Sequence, residues 1–289
     1  MLRAIIKTMR IKQWTKNAII FAALVFDRQL TNITAFSRTL AGFFLFCILS
    51  STVYIINDIL DVEADRQHPK KKFRPIASGL LPIPAAITTA VLLLAIAFPI
   101  AYLLSPFFFW ISLVYFLTNL AYSLRLKHYV LIDVVVLSLG FVFRVGAGVS
   151  LIQVERFSPW LYVVTYLLAL YLGFGKRRAE LTLLSTTAGS HRKVLDGYTV
   201  PFLDQILMMI SGMTIISYSL YTFSAPNLPA NHSMMLTIPF VLYGILRYMY
   251  IVQVEGTGNA PDEVLLVDRP LQSAILLWGI SVLVIFYIF

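Results

Sequence analysis

Four side chains between positions 57 and 65 form the densest chemical grouping in the sequence: Asn57, Asp58, Asp61 and Asp65. Asn57 and Asp61 are four apart, Asp58 and Asp61 three apart, and Asp61 and Asp65 four apart. On a continuing helix all of them share one face, while Glu63 points elsewhere. Three carboxylates crowded together repel one another unless a cation lies between them. Oxygen-only ligands suit Mg²⁺, which takes a few carboxylates together with substrate phosphates. No His or Cys stands with them to suggest zinc. The plainer alternative is a solvated helix end with incidental acids. The position of the cluster, after an apolar run and before a dense basic one, argues against it.

That basic run holds Arg66, Lys70, Lys71, Lys72 and Arg74. Membrane topology alone accounts for part of it. Bases beside acids also suit an anion held through a bridging metal, with Arg66, Lys72 and Arg74 as the direct candidates.

The elements that carry these groups are membrane helices. The chain has 289 residues, of which 59% are hydrophobic and 13% charged. Soluble proteins carry about 25% charged residues, and the mean hydropathy here is +0.81. The expected fold is all-α, one integral-membrane domain over residues 1–289. About 20 apolar residues cross the hydrocarbon core. Nine stretches qualify: 17–35, 38–57, 85–104, 107–124, 130–151, 159–175, 201–223, 233–251 and 270–288. The first is the weakest, because Asp27 and Arg28 interrupt it. Cys47 is the only cysteine, so no disulfide framework is possible. The first sixteen residues carry basic groups and no long apolar core, so a cleavable signal peptide is not expected. No feature points to a nucleic-acid partner.

Basic residues are sorted to one side. Arg3, Lys7, Arg10, Lys12 and Lys16 precede the first span, and the 66–74 run comes after the second. Arg125 and Lys127 follow the fourth, Lys176, Arg177, Arg178, Arg192 and Lys193 the sixth, and Arg269 the eighth. The alternate loops hold only Arg28, Arg38 and Arg156. The basic side is therefore expected to be cytoplasmic, with the N-terminus inside and, for nine spans, the C-terminus outside. Loops 58–84, 125–129, 176–200 and 252–269 then share that side. The acids gather there too, and a site for a charged ligand is one reason for them to do so.

Position marks further candidates. Lys16 and Asn17 begin the first span, and Lys127 comes after the fourth. Tyr122 either orients a phosphate contact or is an interfacial aromatic. Lys176, Arg177 and Glu180 stand after the sixth span, with Asp196 and Tyr198 further on. Arg247 lies near the end of the eighth span, where snorkelling is the plainer reading. Arg144 is deeper, and Asp133 is eleven residues away, so its partner is expected on another helix or at a backbone carbonyl.

Asn57-Asp58-x-x-Asp61-x-x-x-Asp65 with the basic loop after it resembles the first acidic motif of the UbiA-type intramembrane prenyltransferases. Nine helices and Tyr122-Ser123-Leu124-Arg125-Leu126-Lys127 match that family too. Most of its aromatic prenyltransferases carry a second aspartate-rich motif after helix 6. Here that place reads Gly175-Lys176-Arg177-Arg178-Ala179-Glu180-Leu181, three bases and one acid. Together with Lys12-Gln13-Trp14-Thr15-Lys16-Asn17, Phe73-Arg74-Pro75-Ile76-Ala77-Ser78-Gly79, Ile245-Leu246-Arg247-Tyr248 and Asp268-Arg269, the pattern is most similar to one branch, the decaprenyl-phosphate phosphoribosyltransferases.

The resemblance implies transfer of phosphoribosyl from phosphoribosyl pyrophosphate to a polyprenyl phosphate, for envelope ribose or arabinose donors, at a bacterial inner membrane. It implies Mg²⁺ on Asp58, Asp61 and Asp65, the catalytic set. It implies substrate contacts from Lys16, Asn17, Asn57, Arg66, Lys72, Arg74, Tyr122, Lys127, Lys176, Arg177, Glu180 and Arg247. An aromatic or haem prenyltransferase is the alternative enzyme. A secondary transporter, which would place acids or broken helices near the midplane, is the remote one.

Overall fold

Polar caps placed just before the helices set where the long elements begin. The Ser105 hydroxyl accepts from the amide of Phe108 at 3.3 Å, with Pro106 first in the helix. The Thr199 hydroxyl does the same for Phe202, and the Asp268 carboxylate for Leu271. Proline in the first turn forgoes an amide that has no helical partner there, and the cap satisfies another. Asn32 accepts from Thr34 and Ala35 at 3.1 and 3.2 Å.

The computed structural model describes residues 1–153, 158–184, 193–226, 228–256, 264 and 267–288. The order is α1 (Leu2–Thr8), a 3₁₀ segment (Ile11–Phe21), α2 (Ala22–Phe26), α3 (Ile33–Leu60), α4 (Val62–Gln67), α5 (Ile83–Leu104) and α6 (Pro106–Leu124). Then come α7 (Ile132–Val149), α8 (Pro159–Leu184), α9 (Val200–Ser224), α10 (Ile238–Tyr250) with a π turn (Ile251–Glu255), and α11 (Arg269–Tyr287). No strand occurs among the described residues. Among them, seven helices are long and apolar enough to cross a membrane. The chain is a multi-pass membrane protein. On α5 only 17% of the most apolar stretch is buried, and residues such as Leu92, Ile96 and Leu103 lie exposed, as they would facing lipid.

Two expectations need correction. The first stretch, 17–35, is not one helix. It is 3₁₀ to Phe21 and α-helical only to Phe26; the chain then turns at Arg28, whose φ of 55° no helix contains, before Ile33 starts α3. The charged pair Asp27-Arg28 is the cause. Also, the residues taken as a loop from 176 are helical as far as Leu184. Lys176, Arg177 and Glu180 ride on α8. Residues 185–192 and 257–263, within the expected site loops, and Glu155 and Arg156 lie outside the described residues.

The helices form two compact units. Unit 1 comprises Met1–Val25, Gln29–Lys127 and Phe143–Val154. There α3 packs on α5, α6 and the 3₁₀ segment, around Phe46, Leu49, Phe108 and Tyr115. Gly148 lets the backbone of α7 touch that of Ile20, because a Cβ there would collide with the Ile20 carbonyl oxygen. Arg38 donates to the carbonyls of Leu104 (2.6 Å) and Leu151 (3.1 Å), satisfying groups that a helix end leaves open. Unit 2 comprises Phe26–Arg28, His128–Val142 and Glu155–Phe289. Its core gathers Tyr171, Phe174, Leu203, Leu207, Tyr248 and Val252 from α8, α9, α10 and the π turn.

Candidate active site

The acidic motif sits where α3 gives way to α4. Asp61 leaves helical geometry (φ −94°, ψ 7°), so α3 stops at Leu60. The amides of Asp61 and Asp65 still reach the carbonyls of Asn57 and Asp61, at 2.9 and 2.8 Å, so the register survives the break. Asp58 and Asp65 are buried and Asp61 is half-buried. Glu63 is exposed and pairs with Arg66 at 2.8 Å, apart from the others as its spacing predicts.

Each buried acid is matched by bases. One nitrogen of Arg74, Nη1, lies 3.1 Å from Asp58 Oδ1 and 2.6 Å from Asp65 Oδ2. Arg10 pairs with the same Asp58 oxygen and lies over the Tyr54 ring. Lys71 approaches Asp65 at 3.9 Å. Asp61 faces different partners: Lys127 Nζ donates to Oδ1 at 2.6 Å, and Asn57 donates to Oδ2 at 3.1 Å. The segment just after Arg74 anchors it. Pro75, Ile76 and Ala77 are buried, Ile76 and Leu81 pack with Ile55, Ala86 and Ala90, and Gly79 (φ 79°) makes the turn between them.

The residues fit a hard divalent cation in kind. Asp58 and Asp65 offer oxygens only and converge on one positive nitrogen, a place where positive charge is wanted. Asp61 does not share that point. Among the described residues no group of three or more His, Cys, Asp or Glu side chains is assembled for a metal.

Arg10 is the contact that sequence reading missed. It carried no signal beyond topology, since its partner is 48 residues away. The segment bearing it is docked by Trp14 Nε1, which donates to Ser51 Oγ at 3.0 Å, and by that hydroxyl, which donates to the Met9 carbonyl at 3.0 Å. Lys16 is half-buried on the same segment. Asn17 is drawn inward instead of facing a phosphate. It donates to Cys47 Sγ (3.3 Å) and Ser50 Oγ (3.2 Å), and its Oδ1 accepts from Arg144 Nε at 2.7 Å. Arg144 also donates to the Tyr115 hydroxyl at 2.9 Å, so its partners are on other elements, as expected. A buried guanidinium needs such acceptors more than a phosphate needs Asn17. Arg66 reaches toward the Ala77 carbonyl, Lys72 lies exposed over the Phe73 ring, and Tyr122 is buried.

In unit 2 the expected residues are tied into ion pairs. Arg177 is buried, with Nε 2.7 Å from Asp133 Oδ2 and Nη1 2.7 Å from Glu180 Oε2, so its charge is matched and it is no open phosphate ligand. Arg178 pairs with Asp204 and donates to the Val252 carbonyl, both at 2.6 Å. Arg247 pairs with Asp268 at 2.7 Å and Glu255 at 3.0 Å. Lys176 is half-buried and Asp196 exposed. Burial, then the bond to Asp133, pushes the Tyr198 hydroxyl well above its usual range, so it stays protonated and donates. The bond from Arg247 holds the Asp268 carboxyl below its usual range.

His68 makes the basic loop sensitive to pH. Its Nδ1 accepts from the amides of Lys70 (3.2 Å) and Lys71 (3.3 Å), which requires a neutral ring. Desolvation first, then nearby Lys71, lowers its pKa below the usual 6.5. A lowered folded pKa means the contribution is complete above 6.5 and is lost as pH falls through the folded value. Hydrogen exchange of residues 66–74, corrected for intrinsic rates, should therefore accelerate on acidification. His68→Ala should exchange at the faster rate already at pH 8, and an unchanged rate there would remove the staple.

Known proteins share this outline. The profile of the UbiA prenyltransferase family matches residues 18–260. The chain is 35% identical over 298 residues to a decaprenyl-phosphate phosphoribosyltransferase of Corynebacterium glutamicum, covering 98% of this chain and 86% of that one. It is 33% identical over 278 residues to one of Mycobacterium tuberculosis, covering 95% and 91%. A UbiA homolog from Archaeoglobus fulgidus bound to DMAPP and Mg²⁺ shares the fold, with a TM-score of 0.74 at 18% identity and 99% of both chains covered.

Proposed function

Because the chain belongs to the UbiA prenyltransferase family and is a membrane transferase, we propose that it moves 5-phosphoribosyl from phosphoribosyl pyrophosphate to a polyprenyl phosphate. The observation that carries this reading is the near full-length likeness to enzymes bearing that name, joined to a motif whose acids are already surrounded by bases. The sorting of basic residues into alternate loops supports a reaction on the cytoplasmic side of a bacterial inner membrane.

Asp58 and Asp65, which converge at Arg74, would hold Mg²⁺, and Asp61 would join them once the diphosphate draws off its partner Lys127. That ion supplies Lewis-acid stabilisation of the departing pyrophosphate. Arg10, Arg74, Lys71 and Lys127, which balance these carboxylates, exchange them for the oxygens of the diphosphate when it arrives. They then present fixed positive charge to the leaving group. A phosphate oxygen of the lipid attacks C1 of the ribose. The new C1–O bond forms as the C1–O bond to pyrophosphate breaks, and the bonding pair leaves with pyrophosphate. The nucleophile is already an anion, so no strong base is needed. Positioning and electrostatics carry the rate, as in phosphoryl transfer.

Purified protein in detergent, given labelled phosphoribosyl pyrophosphate and polyprenyl phosphate, should transfer label to lipid with Mg²⁺ and lose that activity in chelator. No metal-dependent label in the lipid fraction sinks the reading. Prenylation of an aromatic acid from a prenyl diphosphate would put the alternative enzyme in its place.

A further inference from the structure

The first helix of unit 1 has three faces. Ala4, Ile5 and Met9 turn inward and pack with Ile55, Ile76 and Leu81, which fastens α1 to the last turns of α3 and to the segment before α5. Leu2 and Ile6, four apart, form a second face and are 70% and 43% exposed. Arg3 and Lys7, also four apart, form a third face beside it, and both are exposed. Exposed Ile11 and Lys12 repeat the pairing just past the helix. The segment that shares the core wears the same two kinds of side chain. Phe73 and Leu80 are 64% and 67% exposed, and Lys70 is exposed.

Carboxylates divide the bases of this unit into two sets. Arg10, Arg66, Lys71, Arg74 and Lys127 each stand against an acid. Arg3, Lys7, Lys12 and Lys70 pair with no carboxylate among the described residues. Residues 1–16 contain no Asp or Glu at all. Membrane topology accounts for the charge alone. It asks for lysine and arginine on one side and gives no reason for uncovered leucine, isoleucine and phenylalanine next to them. Exposed apolar groups rimmed by charge mark a surface that something else covers. A helix lying at the level of lipid headgroups needs this arrangement, with apolar side chains in the acyl boundary and bases beside the phosphates. Unmatched cations without an acid among them select a negatively charged headgroup. Against the same face of a second copy, cation would meet cation.

We propose that α1, together with the segment bearing Lys70, Phe73 and Leu80, is an interfacial docking surface for anionic phospholipid. Arg3, Lys7, Lys12 and Lys70 meet the headgroup phosphates, and Leu2, Ile6 and Phe73 enter the acyl boundary. The surface lies wholly within unit 1 and does not depend on the phosphoribosyl-transfer reading. It bears on the site through the chain. Arg10 is two residues past α1 and holds a left-handed conformation (φ 52°, ψ 54°) while its side chain pairs with Asp58. Fixing α1 at the membrane surface fixes where Arg10 is carried.

The test places the whole chain in nanodiscs of phosphatidylcholine alone or of phosphatidylcholine and phosphatidylglycerol in equal parts, and follows hydrogen exchange of residues 2–12. Exchange should be slower in the anionic discs by about 5- to 30-fold, the worth of one to two bases at an anionic surface. High salt should remove most of that difference. The double variant Arg3→Glu, Lys7→Glu should abolish it without moving the melting temperature, because neither side chain has a carboxylate partner to lose. Leu2→Ser with Ile6→Ser should quicken exchange in both kinds of disc. Equal exchange of the wild type in the two discs overturns the proposal, and so does a difference that survives charge reversal. Equal protection from inorganic phosphate added to neutral discs overturns it too, since the face would then take a free anion. Protection confined to discs holding more than one copy would assign the face to self-association and likewise overturns it. None of these readouts uses phosphoribosyl transfer, so their failure leaves the function reading standing.

Discussion

Replacing Asp61 by Asn should lower phosphoribosyl transfer by about 10²- to 10³-fold, the usual loss when one preorganised electrostatic group is removed. Folded yield and melting temperature should stay close to wild type. The contrast comes from burial. The Asp61 side chain is 29% exposed, and Asn can still accept from Asn57 or Lys127. Asp58 is 2% exposed and faces Arg10 and Arg74 together. Asp58→Asn removes the charge that both guanidiniums face, so it should lower activity and melting temperature alike. Initial rates at saturating substrates, set beside melting curves in the same detergent, separate the two. Near-normal turnover in Asp61→Asn would remove it from the metal and leaving-group machinery.

Arg177→Met should destabilise the folded protein by about 3–5 kcal/mol, because it strands the buried Asp133 carboxylate with its charge unmatched. Tyr198 remains to donate to one oxygen, and a single neutral donor does not offset a buried charge. The partner substitution gives a sharper reading. Combining Arg177→Met with Asp133→Leu removes both charges and should recover much of the loss, since an apolar pair of similar volume often matches a buried ion pair. Unfolding of the single and double variants in detergent checks this. Equal stability of Arg177→Met and wild type would show that the network carries no structural load.

The spans were legible because lipid imposes a length and a composition on any helix that crosses it. Eight of the nine expected stretches are helical. The caps at Ser105, Thr199 and Asp268 went unread although they are local, each side chain serving an amide three residues on. The exception is instructive. Residues 17–35 have the composition of a span, but Asp27-Arg28 ends the helix, and the segment before it adopts 3₁₀ geometry against α3. The continuation of α8 past the apolar run was hidden for the opposite reason. Lys176, Arg177 and Glu180 look like loop residues, and only partners on other elements let a helix bury Arg177.

The amino-acid sequence by itself determined that this is a helical membrane protein, that its charged chemistry gathers at helix ends beside the basic loops, and that Asn57, Asp58, Asp61 and Asp65 form one cluster. Those properties depend on composition and on spacings of three or four residues, which a helix converts directly into neighbours. Only the tertiary structure decided who neutralises whom. Asp58 meets Arg10 across 48 positions, Asp61 meets Lys127 across 66, Arg177 meets Asp133 across 44, and Arg144 meets Asn17 across 127. Charge is visible in a sequence, but pairing depends on which helices pack together. That packing divided the candidates, leaving Asp61, Arg74, Lys127 and Glu180 partly exposed and drawing Asn17 and Arg177 into the protein.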